Sequence, residues 1–174
     1  MRPRLFYLTV IVVVACDQIS KTLVTRHIPE TGATIVEPFF SLTPTHNPGG
    51  AFSLLQAHNG VFITIAVLAI GALVYAYHTL RSRDSLMSAS LALALGGAVG
   101  NLMDRAQFGY VRDFFHLHTV SGQTLWPIFN VADSAITVAI LLLAYRAVRP
   151  AKPRACDDSG ETSDGNPGVA DLSN

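Results

Sequence analysis

Two aspartates in the second half of the chain have the residue type and position needed for acid–base chemistry. Asp113 lies in VRDFF, in a predicted short loop between two apolar stretches, and Asp133 lies in FNVADS, at the start of the last stretch. No cation lies near Asp133 in its own stretch, so its charge needs a partner from elsewhere or a proton. Two facing carboxylates cannot both ionise cheaply, and when they share one proton, one acts as a base and the other as an acid. The pattern predicts an aspartyl pair that activates water for hydrolysis.

Three pairs of polar residues lie in apolar stretches at helical spacing. The pairs, three or four residues apart, are Asp17 with Lys21, Asn101 with Asp104, and Asn130 with Asp133. Residues at this spacing share one face of a helix, and charged residues within a membrane are costly enough to predict a functional role. A structural role stays open for each pair, because Asp17 and Lys21 can form a neutralising salt bridge and asparagines can join helices.

The elements that must position these residues are apolar runs long enough to cross a membrane. Crossing ~30 Å of hydrocarbon takes roughly 20 residues. The runs that approach this length are Leu5–Val24, Val61–Leu80, Leu86–Leu102 and Ile128–Val148. Half of the 174 residues are hydrophobic and only 14% are charged, which is typical of a membrane protein. We therefore predict an all-α membrane protein in which residues 1–150 form one domain of four transmembrane helices.

Basic residues indicate how these spans are oriented. They cluster before the first span, between the second and third, and after the fourth: Arg2, Arg4, Arg81, Arg83, Arg146, Arg149, Lys152 and Arg154. By the positive-inside rule, these regions and both termini are expected in the cytoplasm. The first and third spans then run outward and the fourth runs inward, so all three polar pairs reach the outer leaflet. This shared depth predicts one site near the outer surface.

Two segments lie outside the predicted helices. Residues Glu30–Asn59 contain several prolines and aromatic residues, and we predict that they form a small extracytoplasmic β-rich region over the site. A plain connector is the alternative interpretation. Residues 151–174 are rich in Pro, Gly, Ser and Asp, so we expect a disordered cytoplasmic tail.

Other classes of function stay open on these grounds. His116 and His118 alternate along FHLH and could bind a metal ion with Asp113. Intramembrane charges also build ion pathways in transporters, and a purely structural role is a third alternative. The sequence VVAC, which ends at Cys16, is similar to the acceptor site of a lipoprotein signal peptide, although apolar residues continue beyond it. The net charge of zero argues against a nucleic-acid partner.

Five short blocks, in order along the chain, resemble those of a known family. They are DQISK at Asp17–Lys21, NPGGAF at Asn47–Phe52, GNLMDR at Gly100–Arg105, VRDF at Val111–Phe114 and FNVADS at Phe129–Ser134. Together with the four spans, the set is similar to bacterial lipoprotein signal peptidase, or signal peptidase II. The resemblance implies a membrane aspartic endopeptidase that removes signal peptides from diacylglyceryl-modified prolipoproteins and cuts on the amino side of the lipid-modified cysteine.

The resemblance also implies roles for individual residues. Asp113 and Asp133 match the catalytic pair of the family. The residues that match positions supporting or lining the site are Asp17, Lys21, Asn47, Asn101, Asp104, Arg105 and Asn130. The resemblance implies no metal or other cofactor, prolipoproteins and membrane lipids as partners, and an inner-membrane location with the site toward the outer face. Pro48 and Gly50 in NPGGAF depart from the pattern expected there.

Overall fold

The structure, a computed structural model, describes residues 3–36, 39–49, 59–79 and 84–148, so the predicted tail at 151–174 lies outside it. The described part of the chain contains helices and strands in the order α1 (Pro3–His27), β1 (Ala33–Val36), β2 (Phe40–Asn47), α2 (Asn59–Thr79), α3 (Ser85–Phe108), β3 (Val111–His118), β4 (Thr124–Phe129) and α4 (Val131–Val148). This order places two strands in the connection between α1 and α2, and two between α3 and α4.

All four helices are long and apolar enough to cross a membrane, as the sequence predicts. The third extends further than its apolar run, which stops at Leu102, because α3 continues to Phe108. It ends where Gly109 adopts a φ of 83° and donates its N–H to the carbonyl of Arg105, a left-handed cap that glycine accepts without strain. Asn101 and Asp104 therefore lie within α3 rather than at its end.

The helix α3 lies at the centre of the bundle and packs against the other three helices. Glycines let it approach them closely. A Cβ on Gly97 would lie 2.5 Å from the carbonyl oxygen of Ala132 in α4, and one on Gly100 would lie 2.6 Å from Oδ2 of Asp17 in α1. Gly96 and Gly100 form a G-x-x-x-G pattern, which permits such close helix contacts in membranes.

The strands form one antiparallel sheet in the order β1-β2-β3-β4 at one end of the bundle. The predicted β-rich region is present, since Glu30–Asn59 contributes β1 and β2. Gly50 and Phe52 lie outside the described residues. The segment before α4, predicted as a short loop, is instead a β-hairpin, because β-branched and aromatic residues favour strands and Gly122 turns the chain with a φ of 78°. The all-α prediction therefore understates the sheet.

The helix α4 begins at Val131, three residues later than its apolar run, because Ile128 and Phe129 complete β4. The prediction that Asn130 and Asp133 share a helical face is therefore wrong, since Asn130 precedes the helix. Oδ1 of Asn130 accepts the backbone N–H of Asp133 at 2.9 Å, and Oδ2 of Asp133 accepts the backbone N–H of Asn130 at 3.3 Å. This reciprocal arrangement is a capping box, which fixes where a helix starts.

At the end of the bundle opposite the sheet, other contacts join α3 to α4 and α1 to α2. Asp84 caps α3 by accepting the N–H of Leu86 at 2.9 Å, and it also forms an ion pair with Arg146 of α4. Phe6 of α1 stacks on Tyr77 of α2 with ring centroids 3.6 Å apart. These contacts hold the helices together at the end opposite the sheet. The network of buried polar residues lies at the sheet end.

Candidate active site

Asp113 and Asp133 line one open cleft of about 430 Å³ at the sheet end of the bundle. Asp113 comes from β3 and Asp133 from the first turn of α4. The other residues lining the cleft are Thr45, His46, Asn47, Pro48, Trp126, Pro127, Ile128 and Phe129. The cleft is thus bounded by the end of β2 on one side and by β4 on the other, and both carboxylates reach it.

Both oxygens of Asp113 accept hydrogen bonds from asparagine amides. Asn130 donates to Oδ1 at 2.6 Å, and Asn47 on the neighbouring strand donates to Oδ2 at 2.9 Å. Only 3% of Asp113 is exposed. Burial raises the pKa of Asp113 to about 6, against the two asparagine hydrogen bonds, and the charge of Asp133 adds to the rise. Asp113 therefore holds its proton much closer to neutral pH than an ordinary aspartate does.

Asp133 is held by α3 as well as by its own capping box. Nδ2 of Asn101 donates to Oδ1 of Asp133 at 2.7 Å. Oδ1 of Asn101 accepts from Nζ of Lys21 at 3.1 Å and from Nδ2 of Asn130 at 3.1 Å. Asn101 thus links Asp133 to the cation in α1, and Asn130 links it to Asp113. Each link fixes one side chain relative to another element.

Four buried charged residues lie beneath the cleft: Asp17, Lys21, Asp104 and Arg112. Nζ of Lys21 lies 2.8 Å from Oδ2 of Asp17 and 3.3 Å from Oδ2 of Asp104. Nη2 of Arg112 lies 2.8 Å from Oδ1 of Asp104. The two positive and two negative charges sum to zero, and buried charges are tolerated when they are paired in this way.

Asp17 also fixes the position of α4. Its Oδ1 accepts the backbone N–H of Ala132 at 2.9 Å. That N–H belongs to the first turn of α4, where helix amides have no partner within the helix. The carboxylate therefore caps a neighbouring helix next to Asp133, and it does so from a residue that is fully buried.

Arg105 lies close enough to Asp113 and Asp133 to interact with both electrostatically. Its guanidinium carbon lies 4.5 Å from the ring centroid of Phe62 in α2, a distance suited to a cation–π contact. Its Nη1 is buried and has no hydrogen-bond partner among the described residues. A donor is thus available beside the pair.

The nine residues that the sequence analysis assigned to the site lie in one connected region of the structure. Eight of them form a hydrogen-bonded or ionic network, and Arg105 joins it through its charge. Two residues of the network were not predicted from the sequence: Arg112, and Gln18, whose Nε2 donates to Asp104 at 3.1 Å. Both adjoin predicted site residues, Asp113 and Asp17. Adjacent residues of a strand or helix point in different directions, so the sequence gives no sign that Arg112 and Gln18 reach the same cluster as Asp113 and Asp17. Their partners become evident only in the folded structure.

The histidines considered as metal ligands have other partners. Nδ1 of His116 lies 3.3 Å from Oγ1 of Thr43, and its Nε2 lies 3.0 Å from Oγ1 of Thr124. The Asp113 carboxylate accepts a hydrogen bond from Asn47 and none from these rings among the described residues. Within residues 3–36, 39–49, 59–79 and 84–148, no group of three or more His, Cys, Asp or Glu side chains is arranged to hold a metal ion.

Comparison with solved structures supports the fold. Two bacterial membrane enzyme structures, solved by the in meso method at 2.3 and 1.9 Å resolution, match with TM-scores of 0.77 and 0.76 and sequence identities of 26% and 27%. The matches cover 88% and 86% of this chain and 96% of each solved chain. The four helices and the sheet thus belong to a known membrane-enzyme architecture.

Sequence comparison is more specific. Residues 9–149 match the family model described as signal peptidase (SPase) II. The lipoprotein signal peptidase of Moorella thermoacetica is 42% identical over 147 residues, which cover 84% of this chain and 94% of the relative. That of Streptococcus pyogenes serotype M1 is 40% identical over 147 residues, covering 82% of this chain and 92% of the relative. The chain is a multi-pass membrane protein that belongs to the signal peptidase II family.

Proposed function

We propose that this protein is an aspartic endopeptidase that removes signal peptides from diacylglyceryl-modified prolipoproteins, using Asp113 and Asp133. It cuts on the amino side of the lipid-modified cysteine. The observation that carries the proposal is that both carboxylates line one cleft in a chain of this family, each with asparagine donors on its oxygens. Two buried carboxylates in one site raise each other's proton affinity, so they are suited to share a proton.

Charge balance supports one shared proton. Lys21 and Arg112 offset Asp17 and Asp104 beneath the cleft. Arg105 contributes one further positive charge beside the aspartyl pair. A pair with one proton carries a single negative charge and balances Arg105, whereas a doubly ionised pair would add an uncompensated charge in a buried site.

The pair carries one proton before and after the proposed reaction, and two during the tetrahedral intermediate, whose former carbonyl oxygen is then negative. The ionised carboxylate takes a proton from water as the water oxygen forms a bond to the scissile carbonyl carbon. The other carboxyl then gives its proton to the peptide nitrogen, the carbon–nitrogen bond breaks, and a carboxylic acid and an amine leave. The two carboxyl groups exchange roles, and we assign neither role to one residue because the pair titrates as a unit.

The surroundings of the cleft suit a substrate that carries acyl chains. Trp126 and Leu125 on β4 are 63% and 60% exposed, and Phe39 before β2 is 54% exposed. Apolar and aromatic residues of this kind lie at membrane interfaces. A lipid-modified cysteine would remain among the lipids while its peptide bond reaches the cleft, and Nη1 of Arg105 is a candidate donor to a substrate oxygen.

We place the protein in the bacterial inner membrane, with both termini in the cytoplasm and the cleft toward the outer face. The distribution of basic residues along the chain supports this orientation.

A transporter would need a polar route to both faces, yet the buried Ser88 and Ser90 donate to carbonyls of their own helix turn. These hydroxyls therefore do not extend the polar network toward the other end of α3.

The test is cleavage of a diacylglyceryl-modified prolipoprotein by purified protein in detergent, followed as a gel shift. We expect wild type to cleave and Asp113→Asn and Asp133→Asn each to lose about 10³-fold or more in rate. Asp84→Asn, which removes a carboxylate at the opposite end of the bundle, is the control and should keep cleaving. Cleavage of substrate without the lipid, or loss of cleavage in a strong chelator, would contradict the proposal. Near-normal turnover by either Asn variant would rule out the pair.

A further inference from the structure

Arg112 lies next to Asp113 in β3 and is joined to all the helices that build the site except α2. Its backbone N–H donates to Oδ2 of Asp104 at 2.9 Å, and its Nε and Nη2 donate to the same carboxylate at 3.2 and 2.8 Å. Nη2 also donates to Oε1 of Gln18 in α1 at 3.0 Å. Its carbonyl accepts Nδ2 of Asn130, just before α4, at 3.5 Å. One residue thus connects β3 to α1, to α3 and to the start of α4.

The geometry of these contacts constrains the backbone and not only the side chain. A carboxylate that accepts both the N–H and the guanidinium of one residue fixes the strand in position and in rotation about its axis. Neighbouring side chains on a strand point to opposite faces, so anchoring Arg112 toward the buried charges directs Asp113 to the cleft. Arg112 is only 9% exposed, and its guanidinium carbon lies 4.6 Å from the ring centroid of Phe108.

We infer that Arg112 is a positioning residue for the proposed reaction, which sets the place of Asp113 relative to Asp133 by clamping β3 to Asp104. In this role it acts through Asp104 and takes no part in the proton transfers. This inference rests on the proposed function for its kinetic consequences, but the clamp itself can be measured without any activity. Lysine cannot replace it, because an ammonium lacks the planar fork that meets a carboxylate at two points.

The kinetic test compares Arg112→Lys, Arg112→Met and wild type in the prolipoprotein assay. Misplacing a reacting group by about 1 Å can cost about 10²-fold in rate. We therefore expect kcat to fall by about that factor in Arg112→Met and by about tenfold in Arg112→Lys, with KM within about twofold of wild type. Arg26→Met is the matched control, since Arg26 is exposed and lines the same cavity as Arg112; it should keep the wild-type kcat. A wild-type kcat in folded Arg112→Met, or a change confined to KM, would overturn the inference.

Arg112→Met leaves the buried Asp104 without its main cation, so this variant is at risk of misfolding. The double variant Asp104→Asn/Arg112→Met removes both charges, and Asp17 with Lys21 then remain as a neutral pair. We expect it to fold but to keep a kcat about 10²-fold below wild type. Recovery of the wild-type kcat would mean that Arg112 only balances charge, and the positioning role would be wrong.

Hydrogen exchange separates failure of this inference from failure of the proposed function. Wild-type protein that cleaves no prolipoprotein would contradict the proposed function alone, because the clamp predicts protection of the β3 amides in any case. We expect these amides to exchange about tenfold or more faster in the double variant than in wild type. Equal exchange would show that the clamp does not hold the strand.

Discussion

Asp113 combines burial with two amide donors, and the two have opposite effects on its proton. Burial favours the neutral carboxyl, whereas the hydrogen bonds from Asn47 and Asn130 favour the carboxylate. Burial has the larger effect, and the negative charge of Asp133 acts in the same direction. The result is a carboxyl that can gain or lose its proton near pH 6, a property that suits the proposed shared-proton mechanism.

This property predicts how the stability of the protein depends on pH. The unfolded chain releases the Asp113 proton near pH 3.8, whereas the folded protein holds it to about pH 6. Between these values the folded state binds more protons, so the contribution of Asp113 to the free energy of unfolding falls as pH rises. The full change is about 3 kcal/mol at most. Thermal unfolding in detergent from pH 4 to 7 should show Asp113→Asn gaining stability relative to wild type across this window.

The matched control for that measurement is Asp84→Asn. The hydrogen bond from Arg146 lowers the pKa of Asp84, so its contribution is lost only as pH falls below the measured window. Asp84→Asn should therefore keep the pH dependence of wild type between pH 4 and 7. If wild type and Asp113→Asn gave parallel curves, the raised pKa of Asp113 would be wrong.

At the scale of the elements, the position of Asp133 depends on how closely α4 approaches α3. Gly97 faces the backbone of α4 one residue before Asp133, where a Cβ would lie 2.5 Å from the carbonyl oxygen of Ala132 and 2.7 Å from Cγ1 of Ile136. A backbone oxygen that belongs to a helix cannot move aside alone. Any added methyl group therefore moves the start of α4.

We predict that Gly97→Ala destabilises the protein by about 1–3 kcal/mol, as overpacking does, and lowers prolipoprotein cleavage. Gly71→Ala in α2 is the control, because a Cβ there meets nothing within 4 Å among the described residues. Thermal unfolding and the gel-shift assay measure both effects. A Gly97→Ala variant as stable and as active as Gly71→Ala would show that the close approach of α3 and α4 does not position Asp133.

The elements also show what sequence can and cannot predict here. The four spans follow from apolar length. Asp133 was singled out because its charge lacks a cation in its own stretch, and Asp113 because its predicted loop could face Asp133. The start of α4 was misplaced because Ile128 and Phe129 are apolar in a strand as well as in a helix, so hydropathy alone cannot separate them. Asn130 then looked like a residue on the helical face, although N-x-x-D is also the spacing of a capping box. Arg112 was missed because its partners Asp104, Gln18 and Asn130 come from three different parts of the chain that only the fold brings together.

At the scale of the whole molecule, the polar network and the sheet occupy one end of a bundle whose other end is closed by Phe6, Tyr77 and the Asp84–Arg146 ion pair. A peptidase that cuts beside a lipid-modified cysteine needs water and lipid at the same place. Only an end of the bundle provides both, because the hydrocarbon region excludes water. The proposed function therefore requires that the sheet end lie at one specific face of the membrane.

The orientation can be tested by labelling single cysteines in a background in which Cys16 and Cys156 are replaced by alanine. Val120 in the β3–β4 turn is 76% exposed, and Ser82 lies between α2 and α3 in the sequence. Because basic residues flank Ser82, the positive-inside rule puts it in the cytoplasm. A membrane-impermeant maleimide should label Val120→Cys in intact spheroplasts and Ser82→Cys only after the membrane is opened. The reverse pattern would put the cleft in the cytoplasm, where it could not meet prolipoproteins at the outer face, and the proposed location would be wrong even if purified protein cleaves.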